Sequence, residues 1–403
     1  MSSERRLIKR ASAFAALSLL ALPLLAACGT QATPVPAATA TTAPAAEPTA
    51  TTAMEEPTAT TAMAEATATT GAGAALKVGL VTDVGRLNDK SFNQSSWEGV
   101  LQAQQELGIE AKAIETVDTK DYQQNIGQFI SEGYDVIVTV GFALGEATIE
   151  AAKANPDVMF IGVDQFQGEE IPNLAGLIFD EDKAGYLAGV LAASVTQTNN
   201  IGAVCGTDDV PPVWKFGEGY RAGALSVNPD ITVQVTYHSD VDISKTFTDP
   251  EWGKTTGLSM IDRGADVLFG AGGITGNGAI FAAKERGVLA IGVDTDQYFT
   301  IGDEYKDALV SSAMKLLTPG VSNLIKAVQD GTFKGGNNVG EVGLAPFHDQ
   351  EAKVPADVKS KLDQLAEDLQ SGAVKTCVSP AKGAPAPEGC EGAATGGSTT
   401  PTP

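Results

Sequence analysis

The chain has 403 residues and a formal net charge of −23 at pH 7, with 27 lysines and arginines against 50 acidic residues. A balance this acidic excludes a nucleic-acid partner, which needs basic patches to meet phosphate. Four cysteines are too few for a disulfide framework in a chain of this length, so the core has to be an ordinary hydrophobic one.

Arg5-Arg6 and Lys9-Arg10 precede an apolar run from Ala11 to Ala27, the layout of a secretory signal. The run ends in Leu25-Ala26-Ala27-Cys28 and resembles a bacterial lipobox. That resemblance implies cleavage before Cys28, lipidation of this cysteine, and residence on the extracytoplasmic face of the cell membrane. Residues 1–27 are therefore read as a lipoprotein signal peptide, not as a transmembrane helix of the mature chain. Residues 29–75 are almost entirely Ala, Thr, Pro and Glu, with no apolar periodicity. Such a segment cannot bury enough surface to offset its chain entropy, so 28–75 is predicted to be a lipidated cysteine followed by a disordered tether. As a coil it spans roughly 40 Å.

From Leu76 the pattern alternates. Apolar runs at 78–82, 135–140, 158–163, 201–205, 232–237, 266–270 and 288–293 read as strands. Helical patterns sit between them at 92–107, 121–132, 146–154, 213–226, 251–263 and 275–286. Strand–helix alternation of this kind predicts α/β architecture, with parallel sheets covered by helices on both faces. It also occurs twice: Tyr134-Asp-Val-Ile-Val…Phe160-Ile-Gly-Val-Asp164 is echoed by Ala265-Asp-Val-Leu-Phe…Ala290-Ile-Gly-Val-Asp294. The echo predicts two lobes of similar build, the first over 76–180 and the second over 181–294. The runs at 308–313 and 339–344 and the helices at 318–329 and 355–370 are read as returning to the first lobe within 295–376. Segments crossing between the lobes would form a hinge at the cleft. Beyond Cys377 the chain turns Gly-, Pro-, Ala- and Thr-rich, so 377–403 is predicted to be a loose low-complexity tail. Cys377 and Cys390 are able to form a local disulfide, a pairing that the spacing leaves open. Cys205, inside an apolar run, reads as a buried small hydrophobe.

The stretch 77–99 carries the first site signal. A buried strand is followed by a polar loop with Asp83, Gly85 and Asp89, and then a helix opens. In open α/β sheets ligands bind outside the carboxyl ends of the strands, where such loops collect. Ser91 is placed to cap the helix, whose first-turn N–H groups face the same crevice. Phe92 then offers a flat apolar face at the mouth; the alternative is an ordinary strand–helix turn with Phe92 in the core. Acceptors and an aromatic plate on one junction suit a ligand planar at one end and hydroxylated at the other.

Thr82-Asp83-Val-Gly85…Asp89-Lys-Ser91-Phe92-Asn93-Gln94…Trp97-Glu98-Gly99 resembles the opening signature of the basic membrane protein family, lipid-anchored solute-binding proteins of ABC importers. Val140-Gly141-Phe142, Phe160-Ile-Gly-Val-Asp164, Phe216-Gly-Glu-Gly219-Tyr220, Gly272-Gly273-Ile-Thr275-Gly276, Ile291-Gly-Val-Asp294-Thr-Asp296-Gln297 and Ser311-Ser312-Ala-Met-Lys315 extend the likeness across 76–345. The first half of the loop at 207–215 does not match, and the tether and tail fall outside. The resemblance implies a two-lobed, type I periplasmic-binding-protein fold that closes on a nucleoside, working as a monomer and delivering to a membrane permease. It implies that Asp83 and Asp164 accept hydrogen bonds from the base while Phe92 stacks on it, beside Ser91 and Asn93 of the same motif. Asp294 would hold ribose hydroxyls, Lys315 would bond the ribose or its neighbouring acceptors, and Gly272 and Gly273 would let the backbone approach the sugar. Phe216 is the first choice for a second stacking plate and Trp214 the second.

The residue types agree with that chemistry. Ribose hydroxyls are donors, which an ionised Asp meets through charge-assisted bonds, and an Asp-rich pocket with a single Lys disfavours phosphate. Enzyme signatures fail. Gly270-Ala-Gly272-Gly273-Ile-Thr275 lacks the third glycine of a dinucleotide fingerprint, and Gly253-Lys254-Thr255 lacks the upstream glycine of a P-loop. There is no Gly-x-Ser-x-Gly elbow and no His-Glu-x-x-His. Asp294-Thr-Asp296 is not followed by the glycine turn and oxygens of a calcium loop, so neither metal nor cofactor is called for. Two rival readings remain: a nucleoside hydrolase, and a receptor for a flavin or sugar or one that feeds a signalling partner.

Overall fold

The structure, a computed structural model, describes residues 75–390. The expected signal peptide over 1–27, Cys28, the tether and the end of the tail at 391–403 lie outside the described residues. The chain begins with β1 (Lys77–Thr82), α1 (Phe92–Leu107), β2 (Glu110–Ile114), α2 (Tyr122–Ser131), β3 (Val136–Val140), α3 (Gly145–Ala154), β4 (Met159–Val163) and β5 (Leu174–Phe179). It continues with α4 (Glu181–Val195), β6 (Asn200–Cys205), α5 (Pro211–Val227), β7 (Thr232–Tyr237), α6 (Ile243–Thr246), α7 (Pro250–Asp262), β8 (Val267–Ala271), α8 (Gly273–Arg286) and β9 (Leu289–Asp294). It ends with β10 (Leu309–Lys315), α9 (Leu317–Gln329), β11 (Gly336–Gly340), β12 (Val342–Leu344) and α10 (Ala356–Ser371).

These strands form two six-stranded sheets, ordered β11-β5-β4-β3-β1-β2 and β12-β10-β9-β8-β6-β7. Every pairing is parallel except that of β10 with β12. Central strands such as β3 (Val-Ile-Val-Thr-Val) and β8 (Val-Leu-Phe-Gly-Ala) are buried along their whole length, because helices cover both faces. One face of the first sheet packs Val78, Leu80, Val138 and Ile161 against Leu317, Val321 and Ile325 of α9. The other packs Ile137 and Phe160 against Ile126 and Phe129 of α2. Each such side chain contributes about 1.5–3 kcal/mol when fully buried. In the second lobe Leu187, Leu191, Phe216, Tyr220 and Phe269 share a core with Leu362 and Leu369 of α10. The two-lobed α/β architecture is present as the alternation predicts.

The returning segments differ from expectation. Only α9 and β11 go back to the first lobe. β10 pairs with β9, β12 pairs with β10, and α10 packs on α4, so all three belong to the second lobe. The physical reason is edge completion: β9 would otherwise be an open edge, and β10 covers it with a fully apolar start, Leu309-Val310. The chain therefore crosses between lobes at Asp180, Leu316 and Glu341, and these crossings are the hinge. The tail also differs. Cys377 and Cys390 are disulfide-bonded, and Val378 and Cys390 are buried while about half of the residues between the cysteines are exposed, so its described part is covalently closed and partly packed.

Candidate functional site

Register builds the first half of the site. Thr82 pairs with Val140, and Val140 with Val163, so the next residues, Asp83, Gly141 and Asp164, stand side by side at the carboxyl ends of β1, β3 and β4. Each sheet has the doubly wound order that reverses at its first strand, where ligand crevices form. A Cβ on Gly141 would lie 2.1 Å from Oδ2 of Asp83, and its φ is 114°; glycine makes room there for the carboxylate. In the second sheet Asp294 pairs with Met314, which brings Asp294 beside Lys315. Asp164 and Asp294 close the two echoed Gly-Val-Asp runs, and both are left-handed, with φ of 59° and 66°. Non-glycine residues held in that region cluster at functional sites, and Asp is among the few that tolerate it.

The walls come from both lobes. Asp83, Val84, Asp89, Phe92, Asn93, Phe142 and Asp164 line the first side, and Val210, Val213, Phe216, Phe247, Gly272, Gly273, Asp294 and Lys315 the second. They enclose about 780 Å³, the open mouth included. Ile243 reaches over from the second lobe to pack on the first-lobe cluster that holds Val84 and Tyr122. Asn277 donates to the Asp89 carbonyl at 2.9 Å, and Gln297 and Thr300 donate to the Lys90 carbonyl at 3.1 and 2.7 Å. The lobes are thus in contact around the cleft.

Lys315 organises the floor. Its ammonium lies 2.5 Å from Asp164, 3.5 Å from Glu181 and 3.9 Å from Asp294. It also sits 4.7 Å from the Phe92 ring centre and 5.7 Å from that of Phe216. Burial pulls the Lys315 ammonium down, but these carboxylates overcome it and hold it above the usual lysine range. Glu181, at the lobe crossing, is also paired with Lys215, which donates to the Phe179 carbonyl at 2.8 Å. Burial pushes Asp164 up to about 7 against the pull of Lys315, with Glu181 and Asp294 pushing further. Burial pushes Asp83 to about 7, with Asp89 and Asp164 adding to it. Asp294 is raised by burial, with Lys315 and Ser91 opposing.

Most of the predicted residues meet here. Asp83, Phe92, Asn93, Asp164, Phe216, Gly272, Gly273, Asp294 and Lys315 all line the cleft. Buried Oδ1 of Asp164 and buried Oδ1 of Asn93 have no hydrogen-bond partner among the described residues, which leaves acceptors for a ligand's donors. Ser91 differs from expectation. Its side chain caps nothing; Asp89 takes that role, accepting from the N–H groups of Ser91, Asn93 and Gln94 at 2.9, 2.9 and 3.1 Å. A carboxylate reaches several first-turn donors at once, which frees the Ser91 hydroxyl to donate to Asp294 Oδ2 at 2.5 Å. Phe216 is 3 % exposed and set edge-on against Phe269, so the core occupies much of its surface. Trp214 stands off the cleft wall, stacked on Tyr237 with its N–H on Ser379 at 3.1 Å. Phe247, half-buried on the wall, was not singled out by the sequence. It lies in the polar stretch between β7 and α7, where no periodicity marks it. Among the described residues there is no cluster of His, Cys, Asp or Glu able to hold a metal and no helix long and apolar enough to cross a membrane.

The profile of the Bmp family, described as ABC transporter substrate-binding protein PnrA-like, matches residues 76–344. The "ABC transporter nucleoside-binding protein BmpA" of Lactococcus lactis is 34% identical over 282 residues, covering 66% of this chain and 78% of that protein. A "CD4+ T-cell-stimulating antigen" of Listeria monocytogenes is 30% identical over 322 residues, covering 74% of this chain and 87% of that protein. Among solved structures, an ABC transporter solute-binding protein from Aeropyrum pernix K1 aligns with a TM-score of 0.66 at 27% identity, over 74% of this chain and 92% of that one.

Proposed function

Because the chain belongs to the PnrA-like family of ABC transporter substrate-binding proteins, we propose that its cleft captures a purine nucleoside and hands it to an ABC permease. The observation that carries this reading is the pairing of aromatic walls with buried, unpartnered acceptors on Asp164 and Asn93. A base offers two π faces for the walls and N–H donors for the acceptors. Phe92 from the first lobe and Phe247 from the second are the plates, because each keeps part of its ring free whereas Phe216 is committed to the core. Asp83, Asn93 and Asp164 meet the base. Asp294, with Lys315 beside it, meets the ribose hydroxyls, and the backbone at Gly272 and Gly273 closes over the sugar. Ligand contacts drawn from both lobes favour the closed state, which is how binding drives closure. The carboxylates around one ammonium disfavour a phosphate group. The naming of the Lactococcus relative as a nucleoside-binding protein supports the nucleoside assignment.

The work of the cleft is capture, with no bond made or broken. Anchoring through lipidated Cys28 would hold the monomer beside its permease on the extracytoplasmic face. Calorimetric titration with adenosine, inosine, guanosine, their free bases, ribose, the 5′-monophosphates and riboflavin tests the assignment. Nucleosides are expected to bind and to be recovered intact, with the monophosphates much weaker. Binding of riboflavin or a sugar with no nucleoside bound would overturn it.

A further inference from the structure

The family match ends at residue 344, yet the described chain continues through α10 to a covalently closed, partly packed segment. Cys377 and Cys390 are joined by a disulfide, and Val378 and Cys390 are buried. This segment rests on the second lobe next to the cleft. Ser379 accepts the indole N–H of Trp214 at 3.1 Å, and Lys382 pairs with Asp208 at 2.8 Å and reaches Asp209 at 3.8 Å. At its near end Thr376 donates to Asp182 of α4. Trp214 and Asp208 bracket Val210, Pro212 and Val213, which line the cleft. Asp208 is held on its other side by the Ser239 hydroxyl at 2.7 Å. The segment beyond the family match therefore touches residues that flank the cleft wall.

We propose that the segment 375–390, closed by the Cys377–Cys390 disulfide, is a strap that sets the position of the cleft-lining stretch 207–213, a loop and the first turn of α5, and thereby tunes ligand affinity. Residues 207–210 have no strand ladder to fix them and run into the first turn of α5, where Val210 and Val213 pack on the second-lobe core. The side-chain contacts that hold this stretch from outside are Ser239 on Thr207 and Asp208, the strap's Lys382 on Asp208, and the strap's Ser379 on Trp214 in the first turns of α5. Closing the strap into a ring restricts the conformations open to Ser379 and Lys382 when they are not docked. The strap's residues are positioning residues, since none of them lines the cleft.

The proposal rests on the reading that the cleft holds a small ligand, so its test includes a measurement that needs none. Amide hydrogen exchange is followed over 207–215 in the full chain, oxidised and after dithiothreitol, which converts the Cys377–Cys390 bond to two thiols while closing to its own cyclic disulfide. Cys205 is buried in β6 and carries no disulfide. The same comparison is made for Lys382→Ala and Ser379→Ala, which leave the disulfide in place. Exchange over 207–215 is expected to speed up on reduction and in both variants, with β1, β3 and β8 unchanged. Affinity for a purine nucleoside is expected to fall by about two- to tenfold, the size of one lost hydrogen bond. Unchanged exchange over 207–215 in reduced protein and in both variants would overturn the strap. Faster exchange with unaltered affinity would overturn its effect on the cleft. Failure of oxidised protein to bind any nucleoside would count against the nucleoside assignment, and the exchange result would still decide whether the strap holds the loop.

Discussion

The hydroxyl of Ser91, at the start of a first-lobe helix, donates to Oδ2 of Asp294, at the end of a second-lobe strand, at 2.5 Å. The residue expected to cap α1 is thus a contact between lobes. It fixes one oxygen of a carboxylate whose other oxygen lies 3.9 Å from Lys315. A ligand hydroxyl that enters beside Asp294 meets an acceptor already oriented by both lobes, which lowers the cost of ordering it.

Asp294→Asn keeps the side chain's shape, removes its charge and turns one acceptor into a donor. Charge-assisted bonds contribute about 1.5–3 kcal/mol each, so nucleoside affinity is expected to drop by about 2 kcal/mol or more, roughly thirtyfold. A free base makes no such bond and should hardly notice the change. Calorimetry of a nucleoside and its matching base on both proteins checks this, and equal losses for the two ligands would remove Asp294 from the sugar.

Phe247→Leu and Phe92→Leu are each expected to cost about 1–3 kcal/mol of nucleoside affinity, the size of one base–aromatic stack, with little change in unliganded melting. Phe216→Leu should do the reverse. Its ring packs against Phe269 in the second-lobe core, so stability falls by about 1 kcal/mol or more and affinity moves less. Melting curves beside titrations separate plate from core, and a Phe216 variant with normal melting and lost binding would reassign the second plate.

Much of this candidate site was legible because a parallel sheet ends its buried runs at the cleft. Gly-Val-Asp at 162–164 and again at 292–294 marks two strand ends by apolar residues alone, and the carboxylate follows. Phe247 was not legible, since it sits in a polar connection where neither period applies. The strand at 174–179 carries a readable apolar run, Leu-Ala-Gly-Leu-Ile-Phe, whereas β2 and β11 lie at the sheet edges, where Glu-Ala-Lys-Ala-Ile and Gly-Asn-Asn-Val-Gly need no continuous apolar run. Which lobe receives β10 depends on an edge left open by β9, a tertiary fact with no local pattern. The resemblance of Leu25-Ala26-Ala27-Cys28 to a lipobox gives its own expectation: Cys28→Ala should release the protein from the membrane fraction with ligand affinity unchanged, and retention of the processed variant on membranes would argue against the anchor.

Asp83 is expected to make the stability of the unliganded protein depend on pH. Its carboxyl is raised from 3.8 to about 7 in the fold, chiefly by burial. A group raised in this way favours the protonated fold: its contribution is full below the unfolded value near 4 and is lost as pH rises through about 7. The unliganded protein is therefore expected to melt lower at pH 8 than at pH 5.5. Asp83→Asn should recover about 1–2 kcal/mol at pH 8 and flatten part of the slope. A slope unchanged by the substitution would place the titration on other carboxylates, with Asp89 and Asp164, also raised to about 7 chiefly by burial, the next to test.

Lys315 holds the last prediction, because it is the ammonium that Asp164, Glu181 and Asp294 share. Replacing it with methionine keeps an unbranched apolar stem against Phe92, Phe179 and Phe216 and removes the charge. Breaking a buried ion pair on one side costs about 3–5 kcal/mol, since it leaves uncompensated charge in a dry site. That cost depends on the carboxylates being ionised. Asp164 is already raised to about 7 beside the ammonium, and without Lys315 it moves higher, so at pH 5.5 it carries a proton and most of its penalty disappears. Urea unfolding of Lys315→Met is therefore expected to show a loss that is large at pH 8 and clearly smaller at pH 5.5, with the stability of the variant falling as pH rises. An equal loss at both pH values would mean that the lysine stem, packed among the three rings, matters to the fold more than its charge.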